Sequence, residues 1–248
     1  MKKLILFASA LCMSVCAMAQ SEFYVYKTDG SSVQFTIADV DSISFTAPAT
    51  GTENGHEWVD LGLSVKWATC NVGATKPEEY GSYYAWGETE TKTNYNWSTY
   101  KWCSGSAETQ TKYCTDSSYG TVDNKTTLEL EDDAARANWG GAWRMPTDDE
   151  WTELLENCTR TWTSDYNGTG VAGRIVTSNI NGNSIFLPAA GCRSGDDLYY
   201  AGSYGDYRSS SLYTDNPNDA GSVVFHSDYV DMYDCDRYYG HSVRPVCE

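Results

Sequence analysis

Apolar and polar residues alternate over short stretches near the start of the chain. Residues 23–26 are aromatic or β-branched and residues 33–37 alternate, with the turn-forming string Thr28-Asp29-Gly30 between them. A third short strand is expected at 43–45. Three strands of this length bury little apolar surface. Residues 20–47 are therefore predicted to form a small β-rich module that docks or anchors.

Residues 48–55 have the Ala, Pro, Thr, Gly and Asn composition of a linker. The main domain is predicted to span 56–248. Short strands are expected within 59–68, and again at 173–177 and 183–188, where Asn181-Gly182 supplies the connecting turn.

Two segments have helical periodicity. In 128–138 the apolar residues recur at helical spacing and acidic residues come early. The second helix is predicted over 148–157, because Thr147 followed by Glu150 is a capping box. Its buried stripe is expected to contain Trp151, Leu154 and Leu155. Helices and short strands together predict an α+β fold.

The first nineteen residues have the pattern of a signal peptide. Lys2 and Lys3 precede an apolar run over 4–16, and Ala17-Met18-Ala19 is a small-x-small cleavage site. Residues 1–19 are therefore expected to be removed before Gln20, and the protein to be secreted or displayed on the outer cell surface. A membrane anchor and a lipid-modified Cys12 or Cys16 rank behind this interpretation. No later stretch is apolar enough to be transmembrane.

Charge and cysteine content argue against nucleic-acid-binding and metal-binding classes of protein. The chain has 17 basic and 34 acidic residues, so it repels phosphate backbones and no nucleic-acid partner is expected. Seven cysteines follow the cleavage site, an odd number that leaves at least one unpaired within the chain. No Cys-x-x-Cys occurs and there are only three histidines, so neither a metal site nor a cofactor is expected.

Five strings in order carry a family resemblance. They are VDLGLSVKWA at 59–68, YAWGE at 84–88, WGGAWRMPT at 139–147, LPAAG at 187–191 and SVRPV at 242–246. Together they resemble the Fibrobacter succinogenes major paralogous domain of secreted Bacteroidetes proteins, over 56–248, and 22–47 is similar to a short module often found ahead of it. The chain departs from the family at Arg208, where the family usually has Trp.

The resemblance implies a C-type-lectin-like domain with two helices and several short antiparallel strands, preceded by the small β appendage. In that fold the first and last strands pair. The resemblance therefore implies that Cys70 and Cys247 lie close together and form a disulfide. The fold is shared with formylglycine-generating enzymes, but the reactive cysteine pair of that family has no counterpart here, so the activity is not expected.

The tail from residue 190 onward holds nine Tyr and nine Asp, with many Ser and Gly. Its enriched residue types can be reached from an Asn codon by replacing the two adenines. In this it resembles the variable region of a diversity-generating retroelement target protein. A composition that is simply normal for this family is the other explanation, and both stay open.

Tyr provides rigid contact area, and Ser, Gly and Asn provide adaptable hydrogen bonds. The tail is therefore predicted to present one exposed ligand-binding face on a scaffold that includes Leu187, Pro188, Val243, Pro245 and Val246. Its predicted members are Tyr199, Tyr200, Tyr204, Asp206, Tyr207, Arg208, His226, Asp228, Tyr229, Asp231, Tyr233, Asp234, Asp236, Tyr238 and Tyr239.

No catalytic constellation is found. The sequence has no nucleophile elbow to accompany its three histidines. Asp132 and Asp133 are adjacent on a predicted helix and diverge, so they cannot flank one glycosidic bond. The clustered oxygens at 215–219 favour an Asx-rich turn over a calcium loop.

These patterns predict a non-enzymatic protein that binds an unknown protein or glycan ligand at its surface. A structural or adhesive subunit of a cell-surface assembly, docked through 22–47, is the alternative.

Overall fold

The computed structural model describes residues 22–26, 31–36 and 49–248. The predicted signal peptide and the predicted strand at 43–45 lie outside these residues. The chain divides into two compact units, 1–47 and 48–248. No helix in the described residues is long and apolar enough to cross a membrane.

Sixteen strands and two α-helices are present in the described residues. The strands are β1 (Glu22–Tyr26), β2 (Ser32–Thr36), β3 (Thr50–Glu53), β4 (His56–Val59), β5 (Lys66–Ala68), β6 (Tyr83–Tyr84), β7 (Cys158–Thr163), β8 (Gly173–Ser178), β9 (Ser184–Pro188), β10 (Cys192–Ser194), β11 (Asp197–Tyr199), β12 (Gly205–Leu212), β13 (Asp219–His226), β14 (Tyr229–Asp236), β15 (His241–Ser242) and β16 (Val246–Cys247). The helices are α1 (Ala134–Trp139) and α2 (Asp148–Asn157).

The fold class predicted from the sequence is wrong. Strands account for 38% of the structure and helices for 12%, so the protein is mostly β-sheet, in five sheets within the described residues, and the C-type-lectin-like α+β assignment is not supported. The helix predicted over 128–138 is shorter in the structure, since α1 starts at Ala134. Leu128 donates its N–H to Ser210 O, and Thr127 forms a β-bridge with Ser211. Backbone already paired with a strand cannot be helical, and α1 begins only after Asp133, whose side chain caps Arg136 N.

In the first unit, β1 and β2 form an antiparallel hairpin. Phe23 lies opposite Phe35, and Val25 opposite Val33. These two strands were predicted from the alternation of residues.

The second unit begins with a sheet in the order β16–β5–β4–β3. Residues 50–53, expected to be linker, pair as β3 with β4 through Thr50 opposite Val59. β16 pairs with β5 and thus joins the end of the unit to its beginning, as expected for the first and last strands of the domain.

The Cys70–Cys247 disulfide implied by the resemblance is not formed in the described residues. Cys247 lies opposite Lys66, four positions before Cys70 in the chain. All seven cysteines of the described residues are free thiols.

Two further sheets cover the core. β7, β8 and β9 form a three-stranded antiparallel sheet, and the largest sheet has the order β14–β13–β12–β15–β6. Between them lies a cluster of buried side chains that includes Trp67, Trp151, Leu187, Tyr207 and Phe225. The residues expected to form the scaffold, Leu187, Pro188, Val243, Pro245 and Val246, are all buried.

α2 begins where the sequence predicts. Thr147 accepts a hydrogen bond from Glu150 N, and the Glu150 side chain accepts one from Thr147 N, so both bonds of the capping box are present. Trp151 is fully buried, with its ring 4.6 Å from that of Trp67, and its Nε1 donates to Arg208 O. Leu154 is buried and Leu155 is partly buried against the same cluster.

Three arginines are fully buried: Arg208, Arg237 and Arg244. None takes part in an ion pair found in the described part of the chain. Each guanidinium instead donates to backbone carbonyls from separate segments. The acceptors belong to Ala220, Cys235, Asp236 and Tyr239 for Arg208, to Lys112, Tyr113 and Pro217 for Arg237, and to Ala68, Thr69 and Phe186 for Arg244. These side chains fasten the loops to the sheets.

Trp151→Ala is expected to lower the free energy of unfolding by about 3–5 kcal/mol, because it leaves a large cavity in the core and an unpaired Arg208 carbonyl. Chemical denaturation followed by far-UV circular dichroism measures this. Thr152→Ala, at an exposed position of the same helix, is the control and should change stability by less than about 0.5 kcal/mol. An unchanged unfolding midpoint in Trp151→Ala would contradict the core assignment.

Candidate functional site

The sheet strands β12, β13 and β14 have two different faces. Tyr207 lies opposite Val223, which lies opposite Met232, and these side chains pack in the core. Successive side chains of a strand point to opposite sides. The neighbouring positions Asp206 and Val224 therefore face away from the core. We call this second side the cleft face.

A cavity of about 440 Å³ lies on the cleft face. Its lining consists mainly of aromatic side chains with one carboxylate among them. The lining residues are Cys192, Tyr200, Tyr204, Asp206, Val224, His226, Tyr229, Tyr233 and Cys235. Six of the predicted site residues are thus brought together: Tyr200, Tyr204, Asp206, His226, Tyr229 and Tyr233. None of the lining residues is Lys or Arg.

The aromatic rings form a continuous chain across the rim. Ring centroids are 6.1 Å apart for Tyr199 and Tyr200, 5.2 Å for Tyr200 and Tyr204, 5.1 Å for Tyr204 and His226, and 5.7 Å for His226 and Tyr229. Tyr200 is the most exposed of these side chains, at 62%. The arrangement offers ring faces and edges to a ligand in the cleft.

A tight loop holds two of these tyrosines in place. Tyr204 N donates to Tyr200 O, and Gly202 N donates to Ala189 O. Close backbone approach requires Gly191 at the base of the loop, since a Cβ there would lie 2.0 Å from Tyr199 O. The loop is thereby packed onto the end of β9, and Tyr200 and Tyr204 extend over the cleft.

Asp206 forms the polar part of the floor. Its side chain is 7% exposed, and no residue in the described parts of the chain donates a hydrogen bond to its carboxylate. Burial raises the pKa of Asp206 to about 6, and the positive charge of Arg208 opposes the shift. At neutral pH the cleft floor is therefore an ionised carboxylate that lacks a hydrogen-bonding partner.

Tyr207 and Arg208 were expected to face solvent, and this expectation is wrong. Both are fully buried. Tyr207 is on the core face, where its hydroxyl donates to Pro188 O. Arg208 lies under the cleft face, with its guanidinium donating to four carbonyls and to Ser222 Oγ. Neither side chain is available to a ligand.

Several other predicted residues lie outside the cleft. Tyr199 is on its rim, and Asp228 and Asp231 line the neighbouring depression beside β7. Asp234 pairs with Gly221, whose Cα packs against Asp148 at the start of α2, so Asp234 is on the core side of the sheet. Asp236, the last residue of β14, and Tyr238 and Tyr239, which follow the strand, are partly buried. Tyr238 packs edge-on against Trp97, with centroids 5.0 Å apart.

Cys192 and Cys235 line the cleft and His241 is buried beside it, and none of the three is among the predicted members of the ligand-binding face. Cys192, Asp206 and His241 each offer one ligand atom, and these atoms all lie within 4.8 Å of one another. Burial raises the pKa of Cys192 to about 12 and that of Cys235 to about 11, and burial lowers the pKa of His241 well below its usual value. At neutral pH the two thiols and the imidazole are therefore uncharged. No spacing motif joins positions so far apart in the chain.

The segment 215–219 forms a turn of the expected kind. Asn216 Nδ2 donates to Asp219 Oδ2, Asn218 Oδ1 accepts from Gln110 Nε2, and Pro217 O accepts from Arg237. These side chains are engaged within the protein, as an Asx-rich turn requires.

Comparisons with protein-family models, with curated proteins and with solved structures find no match to this chain. The site is therefore interpreted from its own residues.

Asp206→Asn is expected to stabilise the protein at pH 7.5. Raising the pKa from 3.8 to about 6 corresponds to roughly 2–3 kcal/mol against the folded state when the carboxyl is ionised. This cost is absent below the unfolded pKa of 3.8 and grows as the pH rises to about 6. Urea unfolding should show a gain at pH 7.5 that falls below half at pH 4.5.

The exposed Asp228→Asn is the control for that measurement, and its stability should change by less than about 0.5 kcal/mol at either pH. A loss of stability in Asp206→Asn at pH 7.5 would show that the carboxylate is well solvated or paired, against the geometry described above.

Proposed function

We propose that this chain is an exported ligand-binding protein whose recognition site is the cleft on β12, β13 and β14. The observation that carries the proposal is the joint presence of an aromatic lining and an unpartnered carboxylate in one open cavity. Asp206 lines the cavity without a hydrogen bond from the described chain, and perturbed carboxyls in clefts are typical of functional sites. A ligand that satisfies Asp206 accounts for this arrangement.

The size and lining of the cleft support binding of a small group. About 440 Å³ is within the usual range for small-molecule pockets. It also suits one side chain or one sugar of a larger ligand. Tyrosines restrict few rotatable bonds on binding and offer both a ring and a hydroxyl. A protein or glycan partner can thus insert a single residue here while the acidic surface around the cleft contacts the rest.

A binding role is favoured over catalysis by the state of the candidate nucleophiles. Reactive cysteines need a depressed pKa, whereas burial raises that of Cys192 and that of Cys235. The same cavity has His226 as its one lining imidazole. We therefore propose that the chain is not an enzyme.

The lining also supports the resemblance to a diversified region. Eight of the nine lining residues are Tyr, Asp, His or Cys, types that an Asn codon reaches by replacing its adenines. A scaffold whose core residues lie on the other face of the sheet tolerates such changes, since they do not alter core packing. We accordingly propose membership of the paralogous-domain family named above, with the cleft as its variable part.

A structural or adhesive subunit is the second candidate. Val25 and Val33 are cross-strand partners in the hairpin of the first unit, and both are exposed. Paired apolar side chains on a two-stranded hairpin favour contact with another surface.

Ligand-observed NMR with a fragment library tests the binding proposal. Fragments are expected to compete for one site, and Tyr204→Ala and Tyr229→Ala should each weaken their binding at least about tenfold, as loss of aromatic contacts in a binding pocket does. Tyr119→Ala, a partly buried tyrosine outside the cleft, is the matched control. Equal binding by all three variants would refute the cleft as the recognition site.

Mass spectrometry of the native protein tests export. We expect the mature chain to begin at Gln20 and to be found outside the cytoplasm, because Ala17-Met18-Ala19 fits a signal-peptide cleavage site. A retained Met1 in the cytoplasmic fraction would contradict the localisation.

A further inference from the structure

We propose that the cleft selects a positively charged nitrogen group, an alkylammonium or a guanidinium, held by the Asp206 carboxylate at the floor and by the faces of Tyr204, Tyr229 and Tyr233. This rests on the proposed function, since it names the ligand chemistry of the same site.

Asp206 is the charged group of the cleft floor. The residue is 7% exposed, lines the cavity and receives no hydrogen bond to its carboxylate from the described chain. A buried carboxylate is stabilised by an opposite charge that donates hydrogen bonds. An ammonium or guanidinium entering from solvent supplies both, whereas a neutral hydroxyl supplies a hydrogen bond without the charge.

The Arg208 guanidinium lowers the pKa of Asp206 through its charge but donates no hydrogen bond to the carboxylate. Arg208 lies on the same strand, but its terminal nitrogens donate to the carbonyls of Ala220, Cys235, Asp236 and Tyr239. No ion pair between Arg208 and Asp206 occurs among residues 49–248. The carboxylate is therefore left for an external partner, with Arg208 held in place beneath it.

The aromatic lining adds a second contribution. Tyr200, Tyr204, Tyr229 and Tyr233 line the same cavity as Asp206, and a cation over a ring face gains energy when it is removed from water. The protein already uses this contact internally, since the Arg237 guanidinium lies 4.8 Å from the Trp86 ring centre and Lys101 Nζ lies 4.2 Å from that of Trp102. The cleft has the rings but not the cation.

Charge on the chain as a whole favours a cationic ligand. The adjacent depression is mixed, since Arg160 and Arg174 line it together with Glu156, Asp228 and Asp231, but the whole chain has a net charge of −17. Such a field attracts cations and raises their rate of encounter. Phosphate, sulfate and carboxylate ligands meet no lining Lys or Arg in this cavity, so they are disfavoured.

Isothermal titration of the protein with small probes tests the inference. n-Butylammonium and n-butylguanidinium are expected to bind, while n-butanol and butyrate should bind at least about tenfold more weakly because they lack the positive charge. Tetramethylammonium, which has no N–H, separates the ring contribution from hydrogen bonding. Acetyl-lysine amide and acetyl-arginine amide then distinguish a polypeptide side chain from a free amine as the source of the group.

Two variants give the test its controls. Asp206→Asn should weaken binding of n-butylammonium roughly tenfold to hundredfold, the loss expected for a charge-assisted hydrogen bond. Asp215→Asn removes the same charge from an exposed turn outside the cleft and should leave affinity within about twofold. Thermal melts confirm that both variants are folded.

The outcomes are separable. If butanol binds at the cleft as tightly as butylammonium, or if Asp206→Asn and Asp215→Asn behave alike, charge selection is overturned while the binding cleft stands. If no probe and no fragment binds at the cleft, both proposals fall. If Co²⁺ produces thiolate charge-transfer absorption that Cys192→Ser abolishes, and the organic cations do not bind, then Cys192, Asp206 and His241 are a metal site and the proposal is wrong.

Discussion

Buried guanidinium groups that donate to backbone carbonyls hold this protein together. Short strands and long connections leave many carbonyls without partners in a sheet, and each buried carbonyl left unpaired costs free energy. Arg208, Arg237 and Arg244 meet this demand, because one planar group with five N–H donors can bridge segments that are distant in the chain. Arg244 connects β9 with the segment after β5, and Arg237 connects the 112–113 segment with the turn at 217. The loops are thus part of the rigid structure.

This constraint also explains how a carboxylate and a guanidinium can lie on one strand without pairing. Arg208 donates to carbonyls of β13, β14 and the loop after β14, and moving it toward Asp206 would take a donor from these four acceptors. The ionised Asp206 carboxylate therefore lowers the folding stability of the protein without a ligand. A site of this kind is preorganised, since the floor and rings need little rearrangement to receive a ligand. In the proposed binding role, some folding stability is exchanged for affinity, as is common at functional sites.

Local signals predicted the parts of the fold that local interactions determine. The capping box of Thr147 and Glu150 placed the start of α2 correctly, and alternation placed β1, β2, β8 and β9. The predicted helix at 128–138 failed because a long-range pairing with Ser210 and Ser211 overrode the helical pattern. Cys70 and Cys247 are free thiols, and strand β16 places Cys247 opposite Lys66 rather than opposite Cys70, a register that the number and order of cysteines do not contain. The strand-dominated fold class depended most on β7 and on the eight-residue strands β12, β13 and β14, for which the sequence analysis predicted no strand.

The composition of the tail found the cleft tyrosines but could not separate one side of a strand from the other. Asp206, Tyr207 and Arg208 are consecutive, yet one lines the cleft, one fills the core and one is buried beneath the cleft. Period-two alternation with Val223 and Phe225 as core markers would have excluded Tyr207. It would not have excluded Arg208, because Arg208 and Asp206 are two residues apart and point to the same side of β12. Arg208 is unavailable to a ligand only because its guanidinium is bonded to carbonyls of β13, β14 and the loop after β14. A sequence can thus indicate which surface recognises a ligand, whereas the side chains free to do so depend on which backbone groups require them.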